Sequence, residues 1–396
     1  MSEIPPRPGL RTRALRAFEN GVIRGDDWLD AAFDRFNTRF GLNKPRHIAA
    51  YRGFAGARGG EVMGRVLAQP PLGGPGEHDD WWDNLLNTYR RFGTDEVPRA
   101  PLVLQFQGAR IELATDHEGY YAASFAPSGA KVDTLWTEAR VALADGTLET
   151  PQPVLQVLPH ARIGIISDID DTILQSSITD WKIAAQLTFL GNARTRKPLL
   201  GVAKLYTALQ AGVNPLFYVS SSPWNLYDLL DDFLALNAIP PGPIFLRDIG
   251  TDTGKFIKTP GHGHKLERAR MLIARNPQLR WILLGDSGQQ DAELYAEAAQ
   301  EFGDRIAAIY IRDVDPGVDS PLDVGVDAWI GKIAGTKVPM VRATNSVAIA
   351  EHAAGLGLLD RAAIPAIIAE VGKDAARPTL GEAAVEEAVE QAKPKR

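Results

Sequence analysis

The apolar run Ile163-Gly164-Ile165-Ile166 passes directly into Ser167-Asp168-Ile169-Asp170-Asp171-Thr172. Carboxylates crowded in this way repel one another and resist desolvation, so such a cluster at the end of a buried strand calls for a cation. A divalent metal with oxygen ligands meets that need. The plain alternative is an acidic turn whose aspartate caps the following helix. Three more segments stand at similar places. Phe217-Tyr218-Val219 ends in Ser220-Ser221-Ser222, hydroxyls able to hold a phosphoryl oxygen or to cap a helix. Lys265 opens the helical run KLERARMLIAR, where it can offset phosphate charge or simply lie in solvent. Ile282-Leu283-Leu284 runs into Gly285-Asp286-Ser287-Gly288-Gln289-Gln290-Asp291, and Gly285 permits close backbone approach. Each segment is a weak signal alone; in this order, each at a strand end or helix start, they point to metal-assisted phosphate chemistry.

The elements that must position these residues alternate. RIGIIS, PLFYVS, PIFLRD, WILLGD and IAAIYIRDV read as strands, with amphipathic helical runs between them. Such alternation predicts right-handed βαβ crossovers and an α/β fold, a doubly wound parallel sheet with helices on both faces. In such sheets, reactive residues sit beyond the carboxyl ends of the strands. The expected organisation is an N-terminal helical segment (1–46), a smaller β-sandwich-like domain (47–150) and a linker (151–159). A catalytic domain (160–340), a C-terminal helical extension (341–375) and a flexible tail (376–396) follow. The β-rich part is read from short runs such as EVMGRVLA, APLVLQFQ and GYYAASFA, separated by Gly, Pro and Asp. Trp81, Trp82, Leu85, Leu86 and Tyr89 recur at helical spacing within it. No acidic or basic cluster in residues 1–150 resembles a site. That region is expected to place the enzyme, by docking on the catalytic domain, a partner or a lipid surface.

The chain has no cysteine, which excludes disulfides, thiolate zinc sites and cysteine nucleophiles. Its net charge of −6 argues against nucleic acid as the main partner. The amino end lacks the apolar core of a secretory signal, and no uncharged apolar stretch reaches the roughly 18 residues of a membrane span. The expectation is a cytoplasmic protein, at most peripheral at a membrane.

DIDDT, the serine after the second strand, the lysine and GDSGQQD together resemble the four motifs of the haloacid dehalogenase superfamily. SDIDDTI, YVSSSPWNLY, the His264-Lys265 pair and GDSGQQD with Tyr295 are further similar to the actin-patch-protein phosphatidate phosphatases, whose catalytic domain is lipin-related. The resemblance implies a haloacid dehalogenase-like fold and a phosphatase forming a phospho-aspartate. By it, Asp168 is the nucleophile, Asp170 the general acid and base, and Thr172 steadies their loop. Ser220 donates to the phosphoryl oxygens and Lys265 neutralises the intermediate. The implied cofactor is Mg²⁺, held by Asp168, Asp170 and Asp286, with Asp291 bracing the metal site.

A phosphorelay receiver places its acidic pair before a lone phospho-accepting aspartate, an order this sequence does not follow. A non-catalytic phosphate- or lipid-binding scaffold is the alternative from another class. The insert DWKIAAQLTFLGNARTRKP suffices for a flap, not for a closing cap domain, which suits a large or membrane-embedded substrate. A phosphorylated lipid, phosphatidate, is therefore the expected substrate, and a soluble or protein phosphomonoester the alternative. In the insert, Trp181, Ile183, Leu187, Phe189 and Leu190 are placed to meet acyl chains. His262 and His264 are expected near the pocket by their closeness to Lys265 alone.

Overall fold

The computed structural model describes residues 46–68, 96–127, 132–169, 200–247, 263–315 and 320–376. The expected N-terminal helices, the Trp81–Tyr89 stripe, Asp170, Thr172, the insert, His262 and the tail from 377 onward lie outside the described residues.

The first eight strands are β1 (His47–Ala50), β2 (Gly53–Gly56), β3 (Gly59–Leu67), β4 (Pro101–Phe106), β5 (Ala109–Ala114), β6 (Tyr120–Phe125), β7 (Trp136–Leu143) and β8 (Glu149–Gln156). They pair along the path β1-β3-β2-β8-β7-β4-β5, with β6 on β3. Two facing sheets were expected; the pairing joins all eight strands in one, because the parallel β2–β8 pair bridges the hairpin to the meander. The end strands β5 and β6 meet, so the sheet curls around one apolar cluster that includes Ile48, Val66, Leu104, Tyr121 and Val141. The segment expected as a linker forms β8 instead, inside this sheet.

β1 and β2 form one arm of a hairpin with β3, and that arm is irregular. Ala50 lies opposite Gly64 but Phe54 opposite Glu61, so three residues on one strand face two on the other. This is a β-bulge, which re-aims side chains and leaves backbone groups to be satisfied elsewhere. Buried Gln152 does so, donating from Nε2 to the carbonyls of Tyr51 (2.8 Å) and Met63 (2.7 Å).

The second sheet contains β9 (Ile163–Asp168), β10 (Leu216–Pro223), β11 (Ile244–Arg247), β12 (Arg280–Asp286), β13 (Ile306–Arg312) and β14 (Met340–Ala343). All pairs are parallel, in the order β11-β10-β9-β12-β13-β14. Strands buried on both faces read as continuous apolar runs, which is why IGII, LFYV and WILL were legible. Alternate residues enter two different clusters. Ile165, Tyr218, Ile282 and Tyr310 meet helices α1 (Val202–Gln210), α2 (Tyr227–Leu236), α6 (Ser346–Gly355) and α7 (Ile364–Ala376). Ile166, Phe217, Leu283 and Ile309 meet α3 (Gly263–Arg275), α4 (Asp291–Phe302) and α5 (Pro321–Ile333). The sixth strand, β14, crosses the boundary expected at 340, so the residues after it belong to the packing of this sheet. No helix among the described residues is long and apolar enough to cross a membrane.

The chain advances from β9 to β11 in one direction and restarts at β12 on the other side of β9. The carboxyl ends of β9 and β12 meet where that direction reverses, the place at which such sheets bind their ligands. The curled sheet packs against the parallel one beside β10 and β11. Phe54, fully buried, meets Phe217 and Phe245 edge-on at 5.5 and 6.0 Å. Phe54→Ala is expected to cost about 3–5 kcal/mol, read from the denaturant midpoint. A loss below about 1 kcal/mol would show that this contact does not hold the two sheets together.

Candidate active site

Asp168 ends β9 and Asp286 ends the neighbouring β12, so parallel pairing brings both carboxylates together where the strand order reverses. Lys265, in the first turn of α3, and Asp291, the first residue of α4, complete the group. The lysine ammonium lies 2.8 Å from Asp168 Oδ1 and 2.7 Å from Asp291 Oδ1, and donates to Gln289 Oε1 at 3.0 Å. Lys265 is 1% exposed and the three aspartates not at all. Burial alone pulls its pKa down; Asp168, Asp291 and Asp286 outweigh that and hold it well above the usual lysine value.

The GDSGQQD loop is bent back on itself by Asp291. Its Oδ2 accepts from the Asp286 backbone N–H at 3.2 Å. A Cβ on Gly285 would stand 2.6 Å from the Asp291 carboxylate, so a glycine is required there. Both Asp291 oxygens are thus engaged by this chain, which suits bracing more than ligation. Beneath them, buried Tyr295 donates to the Leu284 carbonyl at 3.3 Å.

Asp168, Asp286 and Asp291 each offer a carboxylate oxygen, all within 4.8 Å of one another. Three buried carboxylates around one ammonium leave an excess of negative charge that an all-oxygen divalent cation balances. The donor set therefore fits the expected metal. A second acidic group, Asp313, Asp315 and Asp323, gathers at the exit of β13. There Arg342 reaches Asp323 at 2.6 Å and Asp313 at 3.3 Å, so an arginine already supplies the charge.

Ser220 is buried on β10, one residue beyond Val219, which pairs with Asp168. Its hydroxyl accepts from the Ser222 N–H at 2.9 Å, in the irregular end of β10 where the register with β11 shifts between Val219 and Pro223. His264 is buried beside Lys265 and hydrogen-bonds the backbone of Phe245, on β11. Burial, then Arg268, pushes its pKa down to about 4, so the imidazole is neutral at pH 7.

Residues 163–313 match the phosphatidate phosphatase APP1 catalytic-domain family. Asp168, Ser220, His264, Lys265, Asp286 and Asp291 all lie within them. Over 245 residues the chain is 30% identical to phosphatidate phosphatase APP1 of Saccharomyces cerevisiae, an alignment covering 58% of this chain and 40% of that relative. A protein of Schizosaccharomyces pombe is 28% identical over 215 residues, 52% of this chain and 35% of its own length. The chain thus spans well under half the length of either relative. Among solved structures, a HAD family hydrolase of Deinococcus radiodurans with bound phosphate and sodium aligns with a TM-score of 0.33 and 16% identity. That alignment covers 50% of this chain and 97% of the other.

Two features of this APP1-like segment escape sequence reading. Ser167 Oγ donates to the Asp168 carbonyl and lies 2.7 Å from the Tyr206 hydroxyl of α1, pinning the end of β9. Burial raises the Tyr206 pKa, so it stays a donor. Tyr206 shows in the sequence only as one apolar position of a helical stripe. Gln289 occupies an unspecified position of GDSGQQD, and its contact with Lys265 depends on how that loop bends.

Proposed function

We propose that this protein is a Mg²⁺-dependent phosphomonoester hydrolase that works through an aspartyl phosphate on Asp168, with phosphatidate as substrate. The observation that carries the reading is the buried Lys265 ammonium held between Asp168 and Asp291, beside Asp286, at the reversal of a parallel sheet. The likeness of residues 163–313 to APP1 supports both the reaction and the lipid. The protein would work in the cytoplasm, peripherally at the membrane that holds its substrate.

In this mechanism an Asp168 oxygen attacks phosphorus and the bond to the leaving alkoxide breaks. Asp170, outside the described residues, gives the alkoxide its proton. The same carboxylate then takes a proton from water, whose oxygen attacks phosphorus, releases inorganic phosphate and restores Asp168. Lys265 keeps the Asp168 carboxylate oriented and balances the charge of the phosphorylated state, while Ser220 donates to its oxygens and Thr172 steadies the loop. Asp168, Asp170 and Asp286 would hold Mg²⁺, which when bound would supply the charge that lets a carboxylate approach a dianionic phosphate.

Phosphate release from phosphatidate in mixed micelles is expected to stop in EDTA and to return with excess Mg²⁺. Undiminished release in EDTA would remove the metal from the mechanism. Measured beside glycerol phosphate, sugar phosphates and phosphopeptides, phosphatidate is expected to give the highest kcat/KM. A preference for a soluble ester would overturn the lipid assignment and leave the phosphatase reading standing.

A further inference from the structure

The bulged hairpin of the curled sheet grips the two segments that carry Ser220 and Lys265. The first contact is aromatic. Tyr51, turned out by the bulge, stacks on Tyr227 with ring centroids 3.9 Å apart and lies nearly parallel to Trp224 at 5.8 Å. Trp224 opens the short 3-10 turn that directly follows the Ser220–Pro223 run. Arg52 donates its backbone N–H to the Tyr227 hydroxyl at 2.8 Å, and its guanidinium pairs with Asp231 on α2. The exit of the serine run is thus held from the other sheet.

The second contact runs along α3. Glu61 on β3 accepts from Arg268 at 3.1 Å and from Arg275 at 3.3 Å. Arg268 stands one turn after Lys265, on the same side of the helix. At the hairpin tip, the Arg58 N–H donates to the Arg275 carbonyl at 2.9 Å and the Ala57 N–H to Asn276 Oδ1 at 3.2 Å. The tip therefore satisfies a carbonyl left open at the end of α3. Asp168 and Asp291 hold this helix at its amino end; the hairpin holds its middle and carboxyl end. A helix is stiff along its axis, so a shift at those points moves the ammonium.

We infer that the β1–β3 hairpin positions the phosphate-binding groups, Tyr51 setting the end of β10 that carries the serines and Glu61 setting the helix that presents Lys265. The inference rests on the phosphatase reading and assigns these residues no contact with substrate.

The test uses the full chain with p-nitrophenyl phosphate, measuring KM and the competitive Ki of inorganic phosphate, neither of which depends on the fraction of folded enzyme. Tyr51→Ala is expected to raise both by about tenfold, because small misplacements of binding groups are costly. Tyr51→Phe, which keeps the stacked ring, should bring both most of the way back. Glu61→Gln is expected to raise both about threefold, and it decides the matter should Tyr51→Ala fail to fold. Values within about twofold of native in the folded variants would make the hairpin a structural support only and overturn the inference. A native protein that hydrolyses no phosphate ester overturns the function on which the inference rests, and the inference with it.

Discussion

Asp168→Asn is expected to lower kcat by at least about 10³–10⁴-fold, since removing a nucleophile leaves only binding and electrostatic help. Asparagine keeps the shape of the side chain, and its amide oxygen can still face Lys265, 2.8 Å from Asp168 Oδ1. The fold should therefore survive, with a denaturant midpoint close to native. Inorganic phosphate should still bind, because Ser220 and Lys265 remain. Retention of even about a tenth of the native kcat would mean that another residue attacks phosphorus.

Lys265→Met is expected to harm stability as well as activity. Methionine fills much of the same space, but it strands Asp168 and Asp291, both buried, without the ammonium between them. Removing one partner of a buried ionic group costs about 3–5 kcal/mol. The chemical step should slow by roughly 10²–10³-fold, the usual scale for losing one preorganised charge at a reacting centre. Added Mg²⁺ should recover part of the stability, since binding to the native state alone stabilises it by mass action, but not the rate. Thermal melts with and without Mg²⁺, read beside kcat, separate the two effects. A variant as stable as native in EDTA would show that the carboxylates tolerate burial without the lysine.

Part of this site was legible in the sequence because desolvated charge is conspicuous. Asp168 and Asp286 follow apolar runs that only a doubly buried strand explains, and an unpaired carboxylate is rarely tolerated there. Lys265 was legible only through its place in the motif order. Its bridging of Asp168 and Asp291 depends on how α3 and the GDSGQQD loop converge, which periodicity does not encode. The linker expected at 151–159 failed for a specific reason. Pro151 and Pro153 argue against a strand, yet both fall in the half of β8 that β2 leaves unpaired, so neither ring nitrogen lacks a needed partner there. The hairpin arm His47–Gly56 was missed because its bulge breaks the alternation that marks a half-buried strand. That arm carries Tyr51 and Phe54, whose rings dock on Trp224, Tyr227, Phe217 and Phe245; docking on the catalytic domain was among the expectations for residues 1–150, but the residues that do it were not legible. Curling of eight strands into one sheet is a matter of long-range pairing and leaves no mark on local pattern.

The central claim is that phosphorus is carried by Asp168. The most direct measurement is a crystal structure of the full chain grown with Mg²⁺ and beryllofluoride, which mimics an acyl-bound phosphoryl group. The expected result is beryllium bonded to an Asp168 carboxylate oxygen, with Lys265 and Ser220 on its fluorines and the metal beside Asp286. Beryllofluoride bonded to Asp286, Asp291 or any other residue would contradict it.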